Sequence, residues 1–560
     1  MKSKRMLATI LTLSLTATLL VGCGGGSATT GTGENGKDAD QYLNVVLGAE
    51  PKTLDTSKAS DSYSSSVFTE VMEGLTRVEQ EGEGENLKDV IKPAGAESWQ
   101  TSEDGLTWTF KLRDQNWSDG KKVTANDYVY GLSRTLDPKT ASQYSFLLYP
   151  IKNAEKVNTG KAPLEELGVK AIDDNTLEIK LEHPCSYFLQ LTPFHIMEPQ
   201  RKDIVEAHGD TYGSEPDTLV FNGPFKITSW THNNEIVLEK NDTYWDKDKV
   251  NLQKVTMKII KEETSRMNEL YNGSLDMAGV SKPEWVKKFN ETGKFDTLTT
   301  YDGATTYTFF NTKDKYFSND KIRKAFIIAA DREGTAKTLF RGLADPATGW
   351  CPPSVQINGE EFRSKCENYI DKLKKENPDP KALFVEGLKE LGEDPDPSKH
   401  TIKYLQSGTD ARSKEFAEFD QQNFNKTLGV NISIEYVEWP IFQKRTDEGD
   451  YELAGQGWSG DYNDPMTFFD LFLSTAKIIP TGWSNDKYDE LIKTAQVSQD
   501  PAERIKAFEQ AEKILIYDDA VISPMVFRKK SIYKAKYVKD VMSPLFGVAD
   551  YKYAYTEGRK

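Results

Sequence analysis

Cysteine, histidine and long apolar runs are scarce in this chain. Four cysteines occur in 560 residues: Cys23, Cys185, Cys351 and Cys366. Such a count excludes a disulfide-built scaffold, although Cys351 and Cys366 flank a Pro-Pro and Gly loop that allows a local bridge. Five histidines (His183, His195, His208, His232 and His400) are scattered without the spacing of metal ligands. No metal or other cofactor is expected. The common catalytic signatures are missing as well. There is no His-Glu-x-x-His, no phosphate-cradling Gly loop and no dinucleotide fingerprint. Gly457-Trp458-Ser459-Gly460-Asp461 looks like a nucleophile elbow, but Asp461 stands where the elbow needs glycine. Asp461, Asn463 and Asp464 begin like a calcium loop, but Pro465 and Met466 then replace a ligand and the glycine. A carboxylate pair could still serve a glycosidase. Apart from that alternative, an extracellular hydrolase, the chain is read as a non-enzyme.

Positive charge is also in deficit. The net charge is -16, falling to -19 without Lys2, Lys4 and Arg5. A surface of that sign disfavours nucleic acid and anionic lipid as partners. The mean hydropathy of -0.61 fits a water-soluble body. The length exceeds what one core serves, so two or three domains are expected.

The N-terminus does carry an apolar run. Lys2, Lys4 and Arg5 precede Met6 to Val21, a stretch too short and too rich in Thr and Ser to span a bilayer comfortably. It ends in Leu20-Val21-Gly22-Cys23, which resembles the lipobox of bacterial lipoproteins. That resemblance implies a signal peptide over 1–22 and an acylated Cys23, anchored in the membrane by several chains. Gly, Thr and Ser over 23–41 predict a flexible tether.

Beyond the tether, alternation predicts strands at Tyr42–Leu47, Leu106–Leu112, Leu177–Leu181, Phe225–Trp230 and Ile236–Glu239, the last two forming a hairpin. Helical spacing predicts Ser64–Glu73 and Ala125–Leu136, the latter stopped by Asp137-Pro138. Later segments alternate: helix Asn319–Ala330, strand Thr401–Leu405, helix Arg412–Leu428, strand Val430–Val437, helices Lys487–Ala495 and Pro501–Tyr517, and a final strand Val521–Phe527. From Ile532 to Val538 the chain is expected to begin its return. This order suggests an α/β lobe with an open mixed sheet.

An ordered set of segments is similar to the solute-binding proteins of peptide ABC transporters, the oligopeptide- and dipeptide-binding family. It comprises Glu73-Gly74-Leu75, Trp108-Thr109-Phe110-Lys111-Leu112-Arg113, Trp117-Ser118-Asp119-Gly120, Asn222-Gly223-Pro224-Phe225-Lys226, Tyr244-Trp245-Asp246, Arg323-Lys324-Ala325-Phe326 and Gly457-Trp458-Ser459-Gly460-Asp461-Tyr462. The resemblance implies an α/β, two-lobed periplasmic-binding-protein-like fold (type II, cluster C) with an inserted subdomain and a deep interlobe cleft. Residues 42–77, 216–303 and 529–560 would form the main part of lobe I, 78–215 its insert and 304–528 lobe II, with strands crossing between lobes as hinges.

By the same resemblance, Asp461 would pair with a ligand's α-ammonium, since an unpaired charge in a closed cleft is costly. The alternative is a turn cap before Pro465. Trp458 would pack on the ligand, or belong to the core, while backbone of Gly457, Trp458 and Ser459 pairs with an extended peptide. Tyr63, Ser64 and Ser65 would meet the ligand backbone, or simply cap a helix. Tyr144 and the Thr305-Thr306-Tyr307 run would line side-chain pockets or fill aromatic core. Arg412 is a candidate for the ligand carboxylate. Gly455 stands where some relatives carry arginine, which leaves peptide length open. The expected partners are an oligopeptide, an ABC permease and the lipid bilayer, with the protein acting as a monomer on the outer face of a Gram-positive-like cell membrane. The alternatives keep the fold and change the ligand to dipeptide, nickel chelate, haem or another solute, or the role to a peptide-pheromone receptor.

Overall fold

The computed structural model describes residues 36–82, 87–409, 411–476 and 478–559. The apolar leader and Cys23 lie outside the described residues. Residues 37–41, the end of the expected tether, belong to the folded body. The Asp38 amide donates to the Thr556 carbonyl at 2.9 Å, and the Asp38 carboxylate accepts from the Gly558 amide at 2.8 Å.

The first sheet has four strands, in the order Tyr42–Leu47, Lys254–Ile259, Glu235–Lys240 and Phe225–Thr231. Tyr42–Leu47 runs parallel to its neighbour and buries Leu43, Val45 and Leu47 on one face, as its alternation requires. The predicted hairpin is present, with Phe225 opposite Lys240. A second four-stranded sheet is antiparallel and runs Ala96–Thr101, Thr107–Leu112, Thr176–Lys180 and Val169–Asp173. Helix Ala125–Leu136 packs on it. Its start is a capping box between Thr124 and Asp127, and it ends where Asp137 turns extended before Pro138.

The third sheet is mixed and has seven strands. Its path is Met277–Gly279, Ile522–Ala535, Phe295–Phe310, Leu453–Ser459, Thr401–Ser407 and Asn431–Val437, and Ala344–Pro346 pairs separately with Ile522–Ala535. Helices Asp320–Ala329, Ala411–Leu428 and Pro501–Lys513 contribute Phe326, Phe424 and Phe508 to the buried core.

Two strands differ from expectation. Ile522–Ala535 is a single strand of 14 residues, where a strand ending at Phe527 and a return from Ile532 were expected. Its partner Phe295–Phe310, 16 residues long, was not anticipated at all. They pair in antiparallel register from Phe295/Ala535 to Tyr301/Lys529, break register, and resume at Thr305/Phe527. Gly303 at φ +67° occupies that break. One end of this ribbon packs beside the first sheet, through Met267, Leu270, Phe289 and Tyr533, while the whole ribbon belongs to the seven-stranded sheet. The expected helix Pro501–Tyr517 is α-helical to Lys513 and ends in a π turn over Ile514–Asp518. Cys185, Cys351 and Cys366 are free thiols, so the allowed Cys351–Cys366 bridge is not formed.

Candidate ligand-binding cleft

Strand Leu453–Ser459 delivers the loop 460–465 to the edge of an internal cavity. The loop is held from below. The buried Asp464 carboxylate takes both Nη1 and Nη2 of Arg504 at 2.8 Å and also accepts the Met466 amide at 3.0 Å. Asp464, therefore, is the cap of the turn at Pro465, and Asp461 is not needed for it. The Thr467 hydroxyl accepts the Asp461 amide at 3.0 Å, and the Gly460 amide donates to the Gly303 carbonyl at 3.1 Å. Asp461 is thus fixed by its backbone alone. No described donor meets its carboxylate, and burial pushes its pKa up to about 6.

The cavity encloses about 410 Å³, the size of a small-ligand site. Its walls come from widely separated segments. Ser65 and Phe68 belong to the helix Ser62–Val71 and Asp61 caps it; Tyr144, Phe194 and His195 come from the region after the second sheet's helix, Ser459 ends a strand of the seven-stranded sheet, Asp461 lies in the loop after it, and Phe546 belongs to the C-terminal segment. Six carboxylates line it (Asp61, Glu73, Asp89, Glu198, Asp461 and Asp550) against the one guanidinium of Arg77. Arg77 is already engaged, its Nε donating to Asp550 at 2.9 Å and its Nη1 facing Glu73 at 3.4 Å. The Tyr244 hydroxyl donates to the other Glu73 oxygen. Glu198 is buried with its Oε2 unpartnered among the described residues, and burial next to Glu73 raises its pKa well above the usual range. Burial pushes His195 down to about 4, so the ring is neutral and donates from Nε2 to the Ala59 carbonyl at 3.2 Å. The cavity is therefore acidic at neutral pH and suits a cationic group.

Of the sequence-predicted residues, Asp461, Ser459, Ser65 and Tyr144 line this cavity. Tyr144 packs edge-on to Phe194 and His195 with centroids 5.3 and 6.0 Å away. Burial raises its hydroxyl pKa, with the Asp461 charge contributing. The others are placed elsewhere. Ser64 is buried, its hydroxyl bonded to the Thr53 carbonyl at 2.9 Å and to the capping carboxylate of Asp61. Tyr63 packs over Gly48. The Trp458 indole donates to the Thr467 carbonyl at 2.9 Å and braces the loop. Gly457 is exposed and pairs with Thr306 across the sheet. Tyr307 is core, edge-on to Trp350 at 4.6 Å, and its hydroxyl accepts from Gln456. Arg412 is exposed and lies over the Phe416 ring at 4.9 Å. Gly455 leaves no room for a side chain, because a Cβ there would sit 2.5 Å from the Tyr404 hydroxyl. Reading the sequence missed Phe194, His195, Glu198 and Phe546, which sit in short turns without periodic signal.

No metal-holding cluster of His, Cys, Asp and Glu occurs among the described residues, and no described helix is long and apolar enough to cross a membrane.

An acidic cavity walled by segments far apart in the chain is suited to capturing a cationic ligand, and the comparisons agree. Residues 90–479 match the sequence profile of bacterial extracellular solute-binding proteins, family 5 Middle. The chain is similar to the oligopeptide-binding protein OppA of Bacillus subtilis (strain 168), with 35% identity over 98% of each chain. It is similar in structure to Listeria monocytogenes OppA bound to peptide (31% identity, TM-score 0.72, covering 92% of this chain and 99% of that one). The pheromone receptor PrgZ is a further structural neighbour (28% identity, TM-score 0.73, 93% and 100% covered). The chain belongs to the family 5 bacterial extracellular solute-binding proteins.

Proposed function

We propose that this protein captures oligopeptides outside the cell and hands them to the permease of an ABC importer, tethered to the membrane through acylated Cys23. The observation that carries this reading is Asp461: a carboxylate fixed by its backbone, lining an acidic cavity and without a hydrogen-bond donor among the described residues. Every unblocked peptide offers the α-ammonium that would satisfy it. The flanking strand ends of Leu453–Ser459 supply backbone groups for an extended chain. Peptide capture by the relatives with OppA names supports the same reading.

The lobes we assign are 42–77 with 216–303 and 529–560, the insert 78–215, and the second lobe 304–528. The register break between Tyr301 and Thr305 on one strand, opposite Lys529 and Phe527 on the other, supports a hinge at these boundaries. Likeness to PrgZ supports a second role for the same site, detection of a peptide signal. Import and signalling share the capture step.

Asp461→Ala tests the reading. It should weaken free-amine peptides by about 100-fold or more, as expected for deleting one member of a desolvated ion pair. N-acetylated peptides should change little. Calorimetric titration of both kinds separates the outcomes, and equal losses would remove the ammonium role.

A further inference from the structure

The loop that carries Asp461 is gripped on both flanks by residues from outside its own sheet. On one flank, the Phe546 ring covers Gly460. A Cβ at Gly460 would fall 2.7 Å from Phe546 Cε1, and one at Gly303, in the hinge break, 2.3 Å from the same atom. On the other flank, Tyr462 stacks on Tyr187, with ring centroids 5.1 Å apart and planes 9° from parallel. Both tyrosines are 7% exposed. Tyr187 follows strand Thr176–Lys180 of the second four-stranded sheet, whereas Tyr462 follows strand Leu453–Ser459 of the seven-stranded sheet. The same seam holds His183 Nε2 at 3.4 Å from Gln496 Nε2, and Cys185, which is 1% exposed and lies in the field of the Asp464–Arg504 pair.

We propose that the Tyr187–Tyr462 stack is a clasp between the lobes that positions Asp461 for the ligand ammonium. Tyr187 is a positioning residue in this scheme and touches no ligand. When the lobes part, Tyr462 loses its partner ring and the loop bearing the adjacent carboxylate loses one of its packed flanks. When they close, the ring contact and the ammonium contact form together and reinforce each other. An offset stack of this kind is worth enough to shift binding by about tenfold. The inference rests on the reading of Asp461 as the ammonium anchor.

The test uses the full mature chain and its Tyr187→Ala, Tyr187→Leu and Tyr187→Phe variants. The probe is a mixture of tri- to pentapeptides, with free or N-acetylated amino termini, measured by equilibrium dialysis and mass spectrometry. Alkylation of Cys185, mapped by peptide, reports opening of the seam. Tyr187→Ala should lower retention of free-amine peptides about tenfold, leave N-acetylated ones unchanged, and speed Cys185 alkylation. Tyr187→Phe should restore both readouts to within about twofold, because it keeps the stacked ring. Tyr187→Leu keeps apolar volume without a stack and covers a failure of the alanine variant to fold. Unchanged free-amine retention in folded Ala or Leu variants would overturn the clasp. So would equal losses for both peptide classes. A folded wild type that retains no peptide, yet shields Cys185, would instead overturn the peptide reading and the ammonium role with it.

Discussion

Asp461 stores an imbalance that the ligand relieves. Its pKa near 6 means that the empty folded protein binds this proton more tightly than the unfolded chain does. Stability from this group is therefore full below about pH 4 and is lost as pH rises through about 6. At neutral pH the deficit is on the order of 2 kcal/mol once partial exposure is allowed for. Asp470, pushed up to about 8 by burial and then by Asp461 and Asp464, extends the same trend to higher pH. An ammonium on Asp461 reverses its share. The rise in Tm on adding a free-amine peptide should thus be larger at pH 7.5 than at pH 5. Calorimetry near pH 6 in buffers of different ionisation enthalpy should show proton release on binding. Asp461→Asn should raise the Tm of the empty protein at pH 8 and leave it unchanged at pH 4. An Asn variant no more stable at pH 8 would mean that the carboxylate carries no such strain.

Among the elements, the loop 460–467 rests from below on the Arg504–Asp464 pair. The Arg504–Asp464 pair is buried on both sides, so Arg504→Ala leaves an uncompensated carboxylate beneath the ligand anchor. A loss of about 3–5 kcal/mol in stability is expected, read as a fall in Tm and denaturant midpoint, together with weaker peptide retention. Elements with strong local signals were legible in the sequence. Ala125–Leu136 was read to the residue, because its apolar spacing is helical and Asp137-Pro138 ends it. The loop bearing Asp461 was legible through the family resemblance of residues 457–462. The two long strands were not. Asp302-Gly303 breaks the alternation of one, and Arg528-Lys529-Lys530 breaks that of the other; these interruptions face each other where the ribbon changes register. Their pairing is a tertiary fact without a local cue. The same holds for the cavity wall: Ser64 and Ser65 are neighbours in sequence, but helical geometry turns only Ser65 toward the cavity.

At the scale of the whole molecule, the cavity joins residues from Ser60 to Asp550, so its shape depends on how the lobes stand. Solution scattering should show a smaller radius of gyration when a saturating peptide is added to the emptied protein. An unchanged profile at saturation would count against a closing trap. At the break, the Phe546 ring leaves no space for a residue larger than Gly303.

With Cys23 acylated as proposed, the pinned N-terminal arm would set a length scale for the protein's work at the membrane. Asp38 is bonded to the segment 556–559, so the arm 37–41 and the C-terminal segment share one patch beside the first sheet. Fourteen residue steps separate Cys23 from Lys37, which span at most about 50 Å when fully extended. In the proposed anchored state, a receptor on so short a leash would stay within that distance of its anchor. In that state it would meet the proposed permease by lateral diffusion in two dimensions.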